Sequence, residues 1–335
     1  MPSIPRRLAL GLALSLGIST FAAQAAAPGQ LEPQQREAFL VEVQEKFGLA
    51  PETVAPLLDK AKYQQSIIDA ITRPAEAKPW KDYRPIFLGN ERITKGRAFL
   101  ETHREALSQI EANTGVPAAI VVAILGVETS YGGNTGRYKV LDALYTLGFF
   151  HEPRATFFRG ELAQAFALAQ EESLDLATIT GSYAGAMGWG QFIPSSYRAY
   201  SVDGDADGRR DLWNSLPDVF ASVANYFKAH KWQAGEPVAV PAVRAEGAED
   251  FNPGSMEAKF SLLELAEKGY RPAEAVGHAV PATLLTLEGV NGPEYWITFN
   301  NFYVISRYNR SPLYSMAVFH LAQAIVGTDS AALEP

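Results

Sequence analysis

Apolar residues recur along most of the chain at the spacing that buries one face of a helix. This spacing is found over residues 35–72, 93–110, 117–129, 157–170, 219–227 and 316–326, with Pro51 and Pro117 at first helical positions. Apolar runs at Val238–Val243 and Thr283–Leu287 instead have the composition of strands. The pattern therefore predicts a mainly α fold, of the α+β kind, with a small β-containing region late in the chain.

The N-terminus has the pattern of a secretory signal peptide. Arg6 and Arg7 precede an apolar run from Leu8 to Ala23, and Ala23-Gln24-Ala25 follows as a cleavage site. The run is too short and too rich in small residues for a stable membrane span. We therefore expect residues 1–25 to be removed and the mature protein to be a soluble protein of the periplasm. The arginine pair leaves export by the twin-arginine route open as an alternative.

Cysteine content and charge restrict the partners. The chain has no cysteine, so an exported protein of this sequence has neither disulfides nor a thiol for a lipid anchor, and we expect no membrane anchor. Its 29 basic and 37 acidic residues give a net charge of −8, which becomes about −10 once Arg6 and Arg7 are removed. Because phosphate binding needs a basic surface, nucleic acid is not an expected partner.

Glu128 is an isolated charge next to an apolar helix. The residues from Val116 to Val127 carry no charge, and Gly132-Gly133 is predicted to end the helix shortly after the glutamate. Desolvation and the negative end of the helix dipole both raise the pKa of a carboxyl group placed there. Such a group can protonate a glycosidic leaving oxygen. The alternative from this segment alone is a helix-terminal glutamate paired with a base such as Arg137.

A segment rich in glycine and aromatic residues extends from Gly181 to Ser195. Its glycines allow the backbone to approach a ligand closely, while Ser182 and Gln191 offer groups that can bind hydroxyl and acetamido groups of a sugar. The alternative is a tightly packed junction between a helix and a loop. Read together with Glu128, the segment favours a carbohydrate-cleaving site.

Glu128–Gly133 and, some fifty residues later, Gly185–Pro194 resemble motifs of the lytic murein transglycosylase B family. The resemblance covers nearly the whole mature chain, because further motifs agree at Trp80–Arg84, Asp203–Trp213, Asn225–Phe227, Asn301–Tyr303 and Arg307–Asn309. It implies a lysozyme-like catalytic core with a helical domain and a small β-containing domain. The implied division is a signal peptide at 1–25, a helical region at 26–115, the core at 116–235, a β-containing region at 236–300, and a segment at 301–335 that completes the groove and the helical domain.

The same resemblance implies a reaction and a set of site residues. Glu128 would protonate the β-1,4 bond between N-acetylmuramic acid and N-acetylglucosamine in peptidoglycan. As a carboxylate it would then accept the proton of the sugar's own 6-hydroxyl, giving a 1,6-anhydro end without water. Ser182 would hold the N-acetyl group near the reacting carbon. The sugar and peptide subsites would be lined by Gln191, Tyr226, Tyr308, Asn309, Tyr314, Tyr83 and Arg154.

The glycine-rich segment has no second acidic residue, which agrees with a single-carboxylate mechanism, since ordinary glycosidases use two. Asp142 and Glu152 lie nearest to Glu128 in sequence, and a fold could bring either close. Lysozyme-like hydrolysis therefore remains an alternative, and so does a non-catalytic peptidoglycan-binding protein. Glycan strands of peptidoglycan are the expected partner, and cell-wall synthesis or remodelling proteins are further candidates.

An acidic loop at residues 203–218 has the spacing of a calcium site. Asp203, Asp205, Asp207 and Asp211 occupy loop positions 1, 3, 5 and 9, and Arg209 offers a carbonyl at position 7. Position 12 is Asn214 rather than glutamate. The family resemblance implies a longer loop whose last ligand is Asp218. We expect a structural Ca²⁺ and no cofactor for the chemistry; the alternatives are a turn satisfied by Arg209, Arg210 and water, and a calcium buffer or sensor.

Overall fold

The computed structural model describes residues 29–73, 78–277 and 280–328. Most of these residues are helical. The α-helices are α1 (Pro33–Phe47), α2 (Pro51–Leu58), α3 (Gln65–Ile71), α4 (Trp80–Phe87), α5 (Asn90–Thr102), α6 (Arg104–Thr114), α7 (Ala118–Thr129), α8 (Val140–Phe150), α9 (Ala155–Glu171), α10 (Pro194–Tyr200), α11 (Leu216–Ala229), α12 (Leu262–Glu267), α13 (Asn300–Tyr308) and α14 (Pro312–Val326). The strands are β1 (Tyr138–Lys139), β2 (Thr180–Gly181), β3 (Ala239–Arg244), β4 (Tyr270–Pro272), β5 (Ala282–Gly289) and β6 (Gly292–Phe299). The predicted mainly α fold with a late β region is confirmed.

Several helices lie outside the predicted ranges, and for α4 and α8 their packing explains why. α8 is buried along nearly its whole length, so it has no polar stripe to reveal helical periodicity. α4 follows Pro79 and contains Pro85, which hides it in a stretch that reads as a loop. Its residues Trp80 and Tyr83 are buried against α13 and α14, and this tertiary packing stabilises the helix.

The centre of the molecule is α7. Nine of its twelve residues are buried, and it packs against α5, α6, α11 and α14. An apolar helix of this kind is stable only when neighbours cover every face, because burying each large aliphatic side chain contributes about 1.5–3 kcal/mol. The surrounding helices therefore fix the position of Glu128 at the end of α7.

The late strands form a four-stranded antiparallel sheet in the order β4-β3-β6-β5. The predicted strands at 238–243 and 283–287 correspond to β3 and β5, whereas β6 is an additional strand that forms a hairpin with β5. One face of the sheet packs on α12 around Leu265, and the other contributes Leu287 to the cluster that holds α4 and α14. The sheet thus lies directly against the start of α14.

Among the described helices, no single one is both long and apolar enough to cross a membrane, although α6 and α7 pass that test as a pair bent by 113°. The predicted signal peptide, residues 1–25, lies outside the described residues.

Asn301 joins the β region to the helical part. Its side chain is fully buried; Oδ1 accepts from the Gln233 backbone at 2.8 Å, and Nδ2 donates to the Gln233 and Glu236 carbonyls at 2.8 and 2.9 Å. These bonds connect the start of α13 to the chain that leaves α11. The neighbouring Asn300 makes one exposed bond, to the Lys231 carbonyl.

Asn301→Ala is expected to lower the free energy of unfolding by about 3 kcal/mol, because it leaves buried backbone groups without partners. Asn300→Ala is the matched control and should cost less than about 1 kcal/mol. Urea unfolding of both variants measures the difference. Equal losses would show that the buried clamp does not hold the junction.

Candidate active site

Glu128 lies at the C-terminal end of α7 and receives a hydrogen bond from the helix that packs on it. The Tyr314 hydroxyl donates to Oε1 of Glu128 at 2.6 Å. Tyr314 is held in the first turn of α14, where the Ser311 hydroxyl accepts its backbone N–H and caps the helix. Desolvation raises the pKa of Glu128 to about 7, and the hydrogen bond from Tyr314 partly opposes this rise. The carboxyl group therefore exists in both protonation states near neutral pH.

The structure does not pair Glu128 with a basic residue such as Arg137, which the sequence left open as an alternative. Within the described residues, Glu128 has no ion pair, and Arg137 lies over the ring of Tyr138, 5.7 Å from its centroid. An unpaired carboxyl group in a desolvated position favours its neutral form.

The end of α7 differs from the prediction that Gly132-Gly133 terminates it. The helix ends at Thr129, and the next two residues, Ser130 and Tyr131, adopt left-handed conformations with φ of 53° and 60°. Non-glycine residues in this region cost energy, so tertiary contacts must hold them. The Tyr131 hydroxyl donates to the Arg92 carbonyl at 2.9 Å, which anchors the turn to α5.

Arg92 is a residue of this site that sequence reasoning missed. Its Nη1 donates to the Gly126 carbonyl at 2.6 Å, two residues before Glu128. In sequence it is one of several charged residues in an amphipathic helix, so nothing marks it as half-buried. Its contact with α7 appears only when the two helices pack together.

The glycine-rich segment is bonded directly to the end of α7. The Thr129 hydroxyl donates to the Trp189 carbonyl at 3.0 Å, and Gly132 lies so close to the Trp189 ring that an added Cβ would come within 2.4 Å of it. The Trp189 backbone N–H and indole N–H donate to the carbonyls of Leu212 and Trp213, each at 3.0 Å. Trp189 therefore connects the end of α7 to the acidic loop.

Ser182 and Gln191 also stabilise this segment internally. The Ser182 hydroxyl oxygen accepts from the backbone of Ala184 and Ala186, at 3.2 and 3.1 Å. Nε2 of Gln191 donates to the carbonyls of Thr135 and Gly188, at 3.2 and 2.9 Å. The tight junction weighed as an alternative is therefore present. Ser182 still has a hydroxyl proton, and Gln191 a carbonyl oxygen, for a ligand.

Tyr308 lies near the carboxyl group of Glu128, and Tyr226 packs against Tyr308. The Tyr308 hydroxyl donates to the Gly190 carbonyl at 2.6 Å, and burial together with the charge of Glu128 raises the pKa of Tyr308 well above its usual value. The Tyr226 ring lies 4.8 Å from the Tyr308 ring, and burial raises the pKa of Tyr226 to about 12. Both side chains stay neutral over the range in which Glu128 titrates.

The remaining predicted residues lie at different distances from this centre. Burial and then the charge of Glu128 are the main causes of the raised pKa of Tyr314, and Tyr83, which is buried in α4, adds to them, so the two hydroxyls are neighbours. Asn309 follows α13, and its carbonyl accepts from Ser311 at 2.7 Å. Arg154 is exposed and contacts the rings of Phe157 and Phe158. The structure brings Tyr308 and Tyr314 to Glu128, whereas the contacts of Arg154 are with those two rings.

Three carboxyl groups of the acidic loop converge. Oxygens of Asp203, Asp205 and Asp218 lie within 4.8 Å of one another. Asp218 is fully buried in the first turn of α11, where it accepts from the backbone of Gly204 at 2.7 Å; burial raises its pKa, and so does the charge of Asp205. Three close carboxylates repel one another, and oxygen ligands of this kind suit Ca²⁺.

Two further predicted ligands are used differently. The Asp207 carboxylate accepts from the Arg209 backbone at 2.8 Å and is not one of the converging groups. Arg209 thus contributes its backbone N–H to the loop. Arg210 forms an ion pair with Glu172 outside the loop, so it does not neutralise the three carboxylates as the turn alternative requires.

A buried carboxyl group that is protonatable near neutral pH, beside neutral tyrosines, has the properties that glycoside cleavage requires of a general acid. Residues 32–323 match the transglycosylase SLT domain family. The membrane-bound lytic murein transglycosylase B of Escherichia coli K12 is 38% identical over 297 residues, which cover 86% of this chain and 81% of that protein.

Solved structures agree with this match. Catenated lytic transglycosylase SltB1 from Pseudomonas aeruginosa has a TM-score of 0.83 at 47% identity, covering 88% of this chain and 98% of that chain. Escherichia coli lytic transglycosylase Slt35 in complex with calcium has a TM-score of 0.79 at 38% identity, covering 87% and 92%. SltB3 from Pseudomonas aeruginosa in complex with NAG-anhNAM-pentapeptide has a TM-score of 0.77 at 32% identity, covering 88% and 79%.

The chain therefore belongs to the transglycosylase SLT domain family, and the resemblance to lytic murein transglycosylase B is confirmed. It is an enzyme of the lytic transglycosylase kind with a lysozyme-like fold.

Glu128→Gln is expected to stabilise the protein increasingly as the pH rises. The native carboxyl group has a pKa of about 7, above its ordinary 4.5, so it keeps its proton longer than the unfolded chain does. Wild-type stability is then lost between these two values as the pH rises. The advantage of the variant should grow by ~3 kcal/mol between about pH 4 and pH 8, measured by urea unfolding.

Glu91→Gln is the control, because its effect on stability should change with pH in the opposite direction. Glu91 is exposed, and its hydrogen bond with Lys95 lowers the pKa of the carboxyl group. The wild type should therefore gain stability over this variant as the pH rises through the acidic range. An effect of Glu128→Gln that does not change with pH would contradict the raised pKa.

Proposed function

We propose that this enzyme cleaves the β-1,4 bond between N-acetylmuramic acid and N-acetylglucosamine in peptidoglycan without water, leaving 1,6-anhydro ends. The observation that carries the proposal is the single carboxyl group of Glu128, poised near its pKa of about 7 beside protonated tyrosines. The family match and the SltB3 complex with NAG-anhNAM-pentapeptide support peptidoglycan strands as the substrate.

Glu128 acts first as an acid and then as a base. Its proton passes to the leaving oxygen of N-acetylglucosamine while the bond from that oxygen to C1 of N-acetylmuramic acid breaks. The carboxylate then takes the proton of the 6-hydroxyl as that oxygen bonds to C1, which returns Glu128 to its protonated state. The bond from Tyr314 stabilises the carboxylate between the two steps, since a donated hydrogen bond favours the charged form.

The positions of the nearest acidic residues in sequence support a one-carboxylate mechanism. Asp142 accepts from the Lys62 backbone at 2.9 Å and from Gln64 at 3.3 Å, so it serves the contact between α8 and the N-terminal helices. Glu152 is exposed in a short 3₁₀ turn. Neither makes a contact with Glu128 in the described part of the chain.

The other assignments of the sequence are proposed on the same basis. Ser182 would hold the N-acetyl group, since its hydroxyl proton remains available. The glycan groove would be lined by Gln191, Tyr226, Tyr308, Asn309, Tyr314, Tyr83 and Arg154. We also propose that the domains divide after residues 115, 235 and 300. The enzyme would be a soluble protein of the periplasm. Cell-wall synthesis or remodelling proteins are candidate partners.

Digestion of purified murein sacculi followed by mass spectrometry tests this reaction. Wild-type enzyme should release 1,6-anhydro muropeptides, and Glu128→Gln should lower the rate by at least about 1,000-fold, because it removes both proton transfers. Glu152→Gln is the matched control and should keep the wild-type rate. Products heavier by one water would identify a lysozyme-like hydrolase, and binding without any cleavage would identify a peptidoglycan-binding protein.

We propose further that Asp203, Asp205 and Asp218 hold a Ca²⁺ that stabilises the loop at 203–218, with Asp207 and Arg209 as additional ligands once the ion is bound. The convergence of three carboxylates supports the site, as does the calcium complex of Slt35. Such an ion would contribute folding energy by relieving carboxylate repulsion and would take no part in the proton transfers.

Calcium should raise the melting temperature of the wild-type protein by a few degrees, since a site filled at ~100 times its Kd adds about 2.7 kcal/mol. Asp205→Asn should abolish this response, whereas Asp69→Asn, at an exposed acid in α3, should keep it. Thermal denaturation with and without CaCl₂ measures the shift. A wild-type protein that does not respond has a bare turn at this loop.

A further inference from the structure

One residue of the neighbouring helix α5, Arg92, bonds to the chain on both sides of Glu128. Its Nη1 donates to the Gly126 carbonyl at 2.6 Å, and its own carbonyl accepts from the Tyr131 hydroxyl at 2.9 Å. Gly126 lies two residues before the carboxyl group in sequence, and Tyr131 lies three residues after it. Arg92 therefore holds both ends of the short segment that carries Glu128.

The first of these bonds lies at the negative end of α7. The Gly126 carbonyl also accepts from the Ser130 backbone at 3.2 Å, so the guanidinium is its second donor. A cation at the C-terminus of a helix is favourable, because it offsets the partial negative charge of the last carbonyls. The guanidinium of Arg92 is kept there by the Phe87 ring of α4, whose centroid lies 5.3 Å away.

The second bond depends on a socket between α5 and α7 that two glycines leave open. A Cβ added at Gly96 would come within 2.3 Å of the Tyr131 hydroxyl oxygen, and one added at Gly126 within 2.7 Å. The Tyr131 ring stacks on Phe99, with 5.7 Å between the centroids. Burial raises the pKa of Tyr131, so its hydroxyl keeps the proton that it donates to the Arg92 carbonyl.

The segment after Glu128 needs such support. Ser130 and Tyr131 have φ of 53° and 60°, a region in which a non-glycine residue stays only when the surrounding structure holds it. If the bonds to Arg92 were lost, this segment would be free to relax toward an unstrained conformation. The carboxyl group would then move relative to the Tyr314 hydroxyl, which donates to it at 2.6 Å.

We propose that Arg92 is a positioning residue, which fixes the segment on both sides of Glu128 and so keeps its carboxyl group against the Tyr314 hydroxyl. The inference rests on the proposed function, because it takes Glu128 as the acid and base. Within the described residues, the bonds and the ring contact of Arg92 involve none of the residues assigned to the sugar subsites. Its loss should therefore slow the proton transfers and leave sugar binding as it is.

Steady-state kinetics on soluble, uncrosslinked glycan strands of peptidoglycan separates this role from a structural one. Arg92→Met keeps an apolar stem and removes the donor, so it should lower kcat by ~10-fold and leave KM within about 2-fold of the wild type. Arg92→Lys should restore most of the lost rate, because a single N–H donor serves the Gly126 carbonyl. Rates are compared at a temperature where each variant is folded by circular dichroism.

Arg97→Met is the matched control on the same helix. Nε and Nη2 of Arg97 donate to the Ala324 carbonyl at 3.0 and 2.7 Å, so this guanidinium also contacts the C-terminal end of a helix, here α14. Ala324 lies ten residues after Tyr314, about 15 Å along that helix. Arg97→Met should lower the melting temperature about as much as Arg92→Met and keep the wild-type kcat.

A Tyr314→Phe background shows whether Arg92 acts through the contact between that hydroxyl and the carboxyl group. With no hydroxyl in place, adding Arg92→Met should lower kcat by only ~2–3-fold, because the two changes act on the same contact. A further loss that stays ~10-fold in this background would overturn the proposal. So would a raised KM with unchanged kcat in Arg92→Met, or an equal loss of kcat in Arg97→Met.

Tyr131→Phe removes only the hydroxyl that bonds to the Arg92 carbonyl, and it serves if Arg92→Met does not fold. It should lower kcat by ~3–10-fold with KM unchanged, and a wild-type kcat in this variant would contradict the proposal. The kinetics count broken glycosidic bonds whatever the product. Failure of the wild type to release anhydro products would instead refute the proposed reaction and leave this result standing.

Discussion

The burial of Glu128 at the end of α7 is the constraint on which the rest of the site depends. An apolar helix can carry a carboxyl group into the interior only if that group is neutral or well partnered, because desolvating a charge is costly. Here the group has a single strong donor, Tyr314, and a pKa of about 7. The balance leaves it able to give and to accept a proton, which a salt-bridged glutamate could not do at neutral pH.

The same constraint explains the strain beside it. Ser130 and Tyr131 hold left-handed conformations that glycine would adopt more easily. The bond from Tyr131 to the Arg92 carbonyl, and that from the preceding Thr129 to the Trp189 carbonyl, hold the turn. At Gly132 a side chain has no room, because an added Cβ would come within 2.4 Å of the Trp189 ring. The turn is therefore fixed in place, and with it the direction in which the carboxyl group points. Trp189 extends this rigidity to the acidic loop.

Electrostatics separates the acidic groups of the molecule into two kinds. Glu128 stands alone among neutral groups, so desolvation dominates its pKa. Asp203, Asp205 and Asp218 lie together, so burial and repulsion from Asp205 both raise the pKa of Asp218. A bound cation would relieve this repulsion.

The amino-acid sequence by itself determined the helical character of the chain, the late strands, the isolated charge of Glu128 and, through several ordered motifs, the family. These are local or linear properties, since periodicity, uncharged runs and motif spacing can be identified in the sequence without knowledge of the fold. Tertiary structure alone decided that Tyr314, far along the chain, donates to Glu128 and that Arg92 supports α7. Such contacts depend on how helices and strands pack across long separations, and spacing along a chain carries no information about which distant side chain will fill a given place.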